Sequence, residues 1–201
     1  MTEKEKMLKG ELYNSNDPEL VKERVKCGLL LDRFNSSPYD KREEKQNLLK
    51  ELLGALGNNS FINKPFFCDY GKNIIIGDNF FANYNLVFLD VNKITIGNNV
   101  MLGPNVSLLT ASHPLDQEVR ISLLEYGKPI SIGDNVWIGG NTVINPGVKI
   151  GNNVVIGSGS VVTKDIPDNM LAYGNPCKVI RAIGEQDKVY WQKRTVEYDN
   201  L

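Results

Sequence analysis

The sequence contains little cysteine or histidine and no excess of charge of either sign. Cys27, Cys68 and Cys177 are odd in number and far apart, which fits neither a disulfide framework nor a zinc knuckle. We therefore expect three reduced thiols. The formal net charge is −1, and lysines alternate with glutamates in the run 41–45, so a basic surface for nucleic acid is not expected.

Long apolar runs are also absent. No stretch approaches the roughly 18 uninterrupted apolar residues of a membrane-spanning helix, and the polar residues 1–6 do not resemble the start of a signal peptide. An apolar content of 41% is ordinary for a globular chain. These features predict a soluble, cytoplasmic protein with no membrane partner.

Residues 1–57 show the patterns of helices. Asp17 is suited to be an N-cap, because Pro18 follows at the first helical position. Asp40 with Glu43 three residues later resembles a capping box that begins a second helix. Two amphipathic helices of this size cannot close a core alone, so we expect them to pack on the rest of the chain.

The second half of the chain repeats a tetrad of isoleucine, glycine, Asx and asparagine. It occurs at residues 76–79, 96–99, 132–135 and 150–153, and apolar residues recur every six positions from Ile132 to Val162. Three short strands joined by tight corners would form one triangular coil of a parallel β-helix. An antiparallel sandwich would need hairpin turns at roughly 8–12-residue spacing, which this chain lacks. The pattern predicts an all-β parallel β-helix over residues 58–184, followed by a C-terminal helix or tail over 185–201.

The repeat lapses once, between Thr110 and Pro129. Interruptions of a solenoid are usually loops extruded from a corner, and they collect on the functional face. This segment, at about 110–129, contains His113, the only histidine of the chain. A lone histidine is most often a packed or surface residue, but its place in the one long loop favours a catalytic role.

Motifs along almost the whole chain resemble one family. They include residues 10–13 (GELY), 68–71 (CDYG), 81–85 (FANYN), 111–114 (ASHP), 127–129 (GKP), 136–140 (VWIGG) and 174–176 (GNP). In this order they resemble the maltose, galactoside and nodulation-type sugar O-acetyltransferases, a group of the hexapeptide-repeat acyltransferases. The resemblance implies a left-handed coil, although the general rule for parallel crossovers predicts a right-handed one.

The resemblance also implies the reaction. An acetyl group would pass directly from acetyl-CoA to a sugar hydroxyl, such as the 6-OH of maltose or glucose, within a homotrimer that needs no metal. A neutral hydroxyl needs a proton acceptor, and histidine is the side chain best matched to that task near pH 7. His113 is therefore the expected general base, and a backbone N–H near Gly140 would stabilise the oxyanion.

Polar side chains are expected to hold the acceptor. By the resemblance, the acceptor-binding positions are Asp17, Asp69, Asn83, Asp90 and Glu125. The alternative for Asp69 and Asn83, which is less favoured, is that they are corner residues that satisfy backbone groups. Asp90 is followed by Val91, whereas galactoside relatives carry two consecutive acids there, so its acceptor contact need not transfer. Asp17 also fits an N-cap, and in that case Ser15 could reach the acceptor instead.

Coenzyme A requires an extended groove that ends in basic residues. The positions that the resemblance implies for acetyl-CoA are Trp137, Gly140, Ser158, Thr163, Lys164, Lys178 and Arg181. Lys178 keeps a positive charge but lacks the bidentate fork of arginine. Trp137 fits simple packing on a repeat strand equally well.

Other functions of the same solenoid remain for comparison. A carbonic anhydrase of this fold needs three histidines for each zinc, which a chain with one histidine cannot supply. A sugar-nucleotide pyrophosphorylase needs a further domain that 57 helical residues cannot form. A galactoside or chloramphenicol-type O-acetyltransferase and a non-enzymatic β-helix scaffold stay as alternatives.

Overall fold

A computed structural model describes residues 1–200, which comprise a stack of short strands with helices at both ends. The helices are α1 (Glu3–Lys9), α2 (Pro18–Ser36), α3 (Arg42–Leu52), α4 (Gln117–Ile121) and α5 (Glu185–Asp199). The strands, in chain order, are β1 (Tyr13–Asn14), β2 (Ala55–Leu56), β3 (Phe61–Ile62), β4 (Phe66–Cys68), β5 (Ile74–Ile76), β6 (Phe81–Ala82), β7 (Leu86–Leu89), β8 (Ile94–Ile96), β9 (Met101–Leu102), β10 (Ser107–Leu109), β11 (Ala111–Ser112), β12 (Leu124–Gly127), β13 (Ile130–Ile132), β14 (Trp137–Ile138), β15 (Val143–Ile144), β16 (Lys149–Ile150), β17 (Val155–Ile156), β18 (Val161–Val162), β19 (Met170–Tyr173) and β20 (Lys178–Ala182).

The strands stack into three sheets that form the sides of a triangular solenoid. Sheet 1 holds β2, β5, β8, β13 and β16; sheet 2 holds β3, β6, β9, β14, β17, β19 and β20; sheet 3 holds β4, β7, β10, β15 and β18. The chain visits sheets 1, 2 and 3 in turn, and stacked strands pair in parallel, with Ile96 opposite both Ile76 and Ile132. Only the last pair, β19 with β20, is antiparallel among these stacks.

The repeated tetrad builds the corner between sheets 1 and 2. Its last residue adopts the left-handed backbone conformation, with φ of 56° at Asn79 and 55° at Asn99, and the Asn79 amide donates to Asn99 Oδ1 at 3.0 Å. Its third residue accepts a backbone N–H from the coil before, as Asn98 Oδ1 does from Asp78 at 2.9 Å. A Cβ at Gly97 would lie 2.4 Å from Asp134 Oδ1, so this close approach requires glycine.

The inner side chains form one continuous core. Ile138, Ile144 and Val162, from the six-residue series, are completely buried. On the outer surface of sheet 2, Phe81 and Trp137 lie in a row of bulky apolar side chains that are about half exposed. The solenoid therefore has an apolar interior and a row of apolar side chains on the outer surface of sheet 2.

The N-terminal helices pack on the solenoid, as expected for amphipathic helices that cannot close a core alone. Phe34 of α2 and Leu49 of α3 are buried in the same cluster as the solenoid core. Asp17 is the N-cap of α2 and accepts the Glu19 backbone N–H at 3.0 Å. The predicted capping box at Asp40 is wrong, because Asp40 lies in a tight turn and Lys41 precedes α3 without a side-chain cap.

The solenoid begins slightly before residue 58. β2 already pairs with β5, because the Gly54 N–H donates to Ile74 O at 3.0 Å and draws the chain into sheet 1 directly after α3. At the other end, α5 buries no residue.

The three cysteines are free, with the sulfurs of Cys27 and Cys68 3.6 Å apart. Within residues 1–200, no helix has the length and apolar character needed to cross a membrane.

Candidate active site

The interrupted repeat forms a small antiparallel sheet outside the solenoid. The chain leaves sheet 3 after β10, passes through β11, α4 and β12, and returns at β13. β11 pairs with β12, and β1 of the N-terminal segment adds a third strand, with Tyr13 opposite Glu125 and Asn14 opposite Leu124. The extruded loop is thus held between the solenoid and the N-terminal segment.

A cavity of about 360 Å³ lies where these three parts meet. Its polar lining consists of Ser15, Arg24, Asp69, Tyr70, His113 and Glu125. A larger depression of about 610 Å³ lies against α3, but its lining, with Arg33, Glu43 and Glu51, is a mixed-charge surface without a histidine. The chemistry therefore points to the smaller cavity.

His113 stands beside a carboxylate in this cavity. Its Nε2 lies 3.8 Å from Glu125 Oε2, and the imidazole is 58% exposed whereas the Glu125 side chain is only 17% exposed. The Tyr13 hydroxyl donates to the other oxygen of Glu125, Oε1, at 2.9 Å. Burial, with the Glu125 charge beside it, raises the pKa of Tyr13, so the phenol remains a donor.

Arg24 spans the opposite wall of the cavity. Its guanidinium donates to the Tyr70 hydroxyl and to the Ser15 carbonyl, each at 2.7 Å. Burial raises the pKa of Tyr70 to about 12, although the hydrogen bond and positive charge of Arg24 lower it. Burial also raises the pKa of Asp69, and the Glu125 charge adds to this while Arg24 opposes it. Two carboxylates and one guanidinium therefore share the cavity.

Three residues expected to bind the acceptor, Asp17, Asn83 and Asp90, do not line this cavity. Asp90 is completely buried, and its Oδ1 accepts the backbone N–H groups of Asp69 at 3.0 Å and Tyr70 at 2.9 Å, so it shapes the corner that carries Asp69. Asp17 uses its carboxylate as the N-cap of α2, and Ser15 lines the cavity in its place. Backbone donors bind one oxygen of Asp17 and hold the Asp90 carboxylate in the corner, and the acceptor contacts expected of both residues stay predictions.

Burial of Asp90 predicts a pH-dependent stability. Burial raises the pKa of Asp90 to about 7, from an ordinary value of 3.8. Between these values the unfolded chain has released the proton while the folded chain keeps it, so stability falls as the pH rises through this window and is constant above it. From pH 5 to pH 8 the wild type should lose about 2 to 3 kcal/mol more than Asp90→Asn.

Urea unfolding of both proteins at equal concentration, at pH 5 and pH 8, measures this difference. An equal change of the unfolding free energy in the two proteins would contradict the assignment to Asp90.

The expected site residues divide between the two edges of sheet 3. His113, Asp69 and Glu125 lie where the strands of sheet 3 end, and Thr163 and Lys164 follow β18 at the same edge. The other corner residues, Asn83, Gly140 and Ser158, lie at the edge where the strands of sheet 3 begin. Lys178 lies near this edge, opposite Tyr173 at the end of β19. The length of the strands separates the two edges by about 15 Å.

The remaining two expected residues lie on sheet 2. Trp137 begins β14 and is 48% exposed on the outer surface. Arg181 donates to both carboxylate oxygens of Asp187, at 2.7 and 2.8 Å, and this contact lowers the pKa of Asp187 to about 2. This ion pair holds the start of α5, and the phosphate contact expected of Arg181 stays a prediction.

Sequence reasoning missed two residues that line the cavity, Arg24 and Tyr70, and also Tyr13, which is buried behind Glu125. Arg24 lies at helical spacing from Leu20 and Cys27, and a charged residue within that buried stripe was a usable signal. Tyr13 and Tyr70 lie inside motifs that carried the resemblance, but nothing local indicated their partners. Within residues 1–200, no group of three or more His, Cys, Asp or Glu side chains is arranged to hold a metal ion.

Comparisons with known proteins agree with this architecture. The maltose acetyltransferase hexapeptide capping motif matches residues 6–57, and the bacterial transferase hexapeptide (six repeats) matches residues 129–164. The galactoside O-acetyltransferase of Escherichia coli (strain K12) is 45% identical over 94% of this chain and 93% of its own length.

Two solved structures are similar over nearly their whole length. A maltose O-acetyltransferase from Clostridium difficile 630 is 56% identical, with a TM-score of 0.91 over 92% of this chain and 99% of that one. A galactoside acetyltransferase in complex with coenzyme A is 45% identical, with a TM-score of 0.91 over 94% of each chain.

These matches confirm the parallel β-helix predicted from the hexapeptide pattern, with the left-handed coil that the family resemblance implied. Related structures hold coenzyme A or acetyl-CoA, which confirms acetyl-CoA as the co-substrate. The chain belongs to the maltose, galactoside and nodulation-type group of the hexapeptide-repeat acyltransferases, and it is an acetyl-CoA-dependent sugar O-acetyltransferase.

Proposed function

We propose that this enzyme acetylates the 6-OH of maltose or glucose, with His113 as the general base. One observation carries the proposal: the sole histidine of the chain stands at a cavity whose other polar walls are two carboxylates, two hydroxyls and one guanidinium. Such groups can hydrogen-bond several hydroxyls of a sugar at once. Asp69 and Ser15 are the acceptor-facing residues on this side.

The reaction proceeds by direct attack in a ternary complex. His113 takes the proton from the acceptor hydroxyl as the oxygen attacks the thioester carbonyl of acetyl-CoA. The tetrahedral oxyanion accepts a hydrogen bond from a backbone N–H near Gly140. Collapse of the intermediate breaks the carbon–sulfur bond, and His113 returns the proton to the thiolate of coenzyme A. The products are the sugar ester and free coenzyme A.

The active site forms between two copies of the chain in a homotrimer. His113 and Thr163 lie at one edge of sheet 3, whereas Asn83 and Gly140 lie at the other, so one copy cannot bring them together. A neighbouring copy can supply the missing edge. The half-exposed apolar row on sheet 2, including Met101, supports association.

Acetyl-CoA then lies in the groove between copies, along Trp137, Gly140 and Ser158 of one chain. Thr163 and Lys164 of the other chain border this groove, and Lys178 supplies positive charge for the phosphates. The cytoplasmic location expected from the sequence stays a prediction.

Release of free thiol from acetyl-CoA across a panel of acceptors tests the substrate. We expect the highest kcat/KM with maltose or glucose, because the matched capping motif is that of maltose acetyltransferases, and lower values with galactosides and glucosamine. A lower value is also expected with chloramphenicol, because the polar groups of the cavity suit an acceptor with several hydroxyls. The position of the product ester, read by NMR, identifies the hydroxyl. A higher kcat/KM with a galactoside or with chloramphenicol would contradict the proposed acceptor.

A further inference from the structure

We propose that Glu125 is a positioning residue for His113, and that Tyr13 of the N-terminal segment holds Glu125 in place. The inference rests on the proposed function, because it needs His113 as the base. It replaces the expected acceptor contact of Glu125 with a contact to the catalytic imidazole.

The two oxygens of Glu125 face different partners. Oε1 accepts the Tyr13 hydroxyl at 2.9 Å, and Oε2 lies 3.8 Å from His113 Nε2. The carboxylate is thus anchored on one side and directed at the imidazole on the other. Because its side chain is only 17% exposed, solvent screens this contact less than it would on an open surface.

Strand pairing brings the three residues together from distant parts of the chain. Tyr13 and Glu125 are register partners between β1 and β12, and β12 pairs in turn with β11, which ends directly before His113. Neither short strand pair would be stable alone, so the alignment depends on the packing of the N-terminal segment.

The anchor itself is rigid. Tyr13 is completely buried in a cluster with Met7, Leu20, Tyr70 and Val91. A phenol packed on all sides has a single position for its hydroxyl, unlike a surface side chain that could follow a moving carboxylate. The N-terminal segment therefore determines where Glu125 points.

A histidine base benefits from such a carboxylate in two ways. A ring N–H directed at the carboxylate leaves the other nitrogen free to accept the proton of the acceptor hydroxyl. The negative charge also stabilises the imidazolium that forms during the attack. At 3.8 Å the contact is longer than a hydrogen bond, but such contacts are often loose in the free enzyme and shorten when substrate binds.

A double-mutant cycle tests the arrangement on the full-length enzyme with its best acceptor. Glu125→Gln should lower kcat roughly 10- to 1,000-fold, while the acceptor KM changes less than about threefold. This loss is smaller than that caused by replacing the aspartate of a Ser-His-Asp triad. Tyr13→Phe should lower kcat about 3- to 10-fold, since it removes one hydrogen bond. In the Glu125→Gln background, Tyr13→Phe should have little further effect.

Glu118→Gln is the matched control, because Glu118 is an exposed glutamate in the same loop and should leave kcat and KM unchanged. If Glu125→Gln raises the acceptor KM and leaves kcat unchanged, Glu125 contacts the acceptor and the inference is wrong. If the fold-losses in kcat of the two single variants multiply in the double variant, Tyr13 does not act through Glu125.

Thermal melting checks that each variant is folded. Should Glu125→Gln not fold, Tyr13→Phe carries the test alone, and an unchanged kcat would overturn the inference. Failure of the proposed function gives a different result: no sugar accepts acetyl from the wild type, or loss of the imidazole leaves turnover intact.

Discussion

Replacing His113 with alanine is expected to lower the turnover of acetyl transfer roughly 10²- to 10⁴-fold, the usual contribution of a positioned general base. Without the imidazole, the acceptor hydroxyl must attack as a neutral nucleophile. His113 is the only histidine of the chain and is 58% exposed in the free enzyme, so its loss should disturb neither the core nor the strand pairing. Free-thiol release at saturating acetyl-CoA and acceptor measures the effect.

Two controls separate catalysis from structure. Acetyl-CoA affinity and the oligomeric state of His113→Ala should match those of the wild type, and Gln117→Ala, an exposed substitution in α4, should retain full turnover. A His113→Ala protein that keeps more than a tenth of the wild-type turnover would contradict the assignment of His113 as the general base.

Mixing two inactive variants is expected to restore activity. His113→Ala removes the base at one edge of sheet 3, and Ser158→Trp places a bulky side chain over the exposed corner at the other edge. If each active site takes one edge from each of two neighbouring copies, some sites in mixed trimers contain both intact edges. Random assembly of equal amounts should give about a quarter of the wild-type activity.

The experiment requires dissociation and reassembly in a mixture, for example from mild urea. Each variant reassembled alone should stay inactive, which excludes repair of either site by the procedure. A mixture that stays inactive, although size-exclusion chromatography with distinct tags shows mixed trimers, would contradict a site shared between copies.

The fold could be predicted because its information is local. An isoleucine every six residues points inward, and the asparagine of each tetrad tolerates the left-handed conformation that a corner needs, as Asn99 does. The place of His113 in an extruded loop could be predicted for a related reason, since the one break in a regular period is visible without coordinates.

The orientation of carboxylates could not be predicted in this way. Asp69 and Asp90 occupy successive corners of the same edge, yet Asp69 lines the cavity while Asp90 is completely buried. The difference arises because the backbone N–H groups of Asp69 and Tyr70, about one coil earlier, bind Asp90 Oδ1. No pattern near Asp90 contains that information.

By itself, then, the sequence determined the coil, its interruption and the place of the sole histidine within that interruption, since each depends on short-range periodicity and residue type. Only the tertiary structure decided which groups surround that histidine. Tyr13 and Glu125 lie 112 positions apart and meet through strand pairing. Arg24 of α2 donates to the Tyr70 hydroxyl in the corner that follows β4. Such contacts depend on how separate segments pack, because burial and backbone donors, rather than residue type, determine where a polar side chain points.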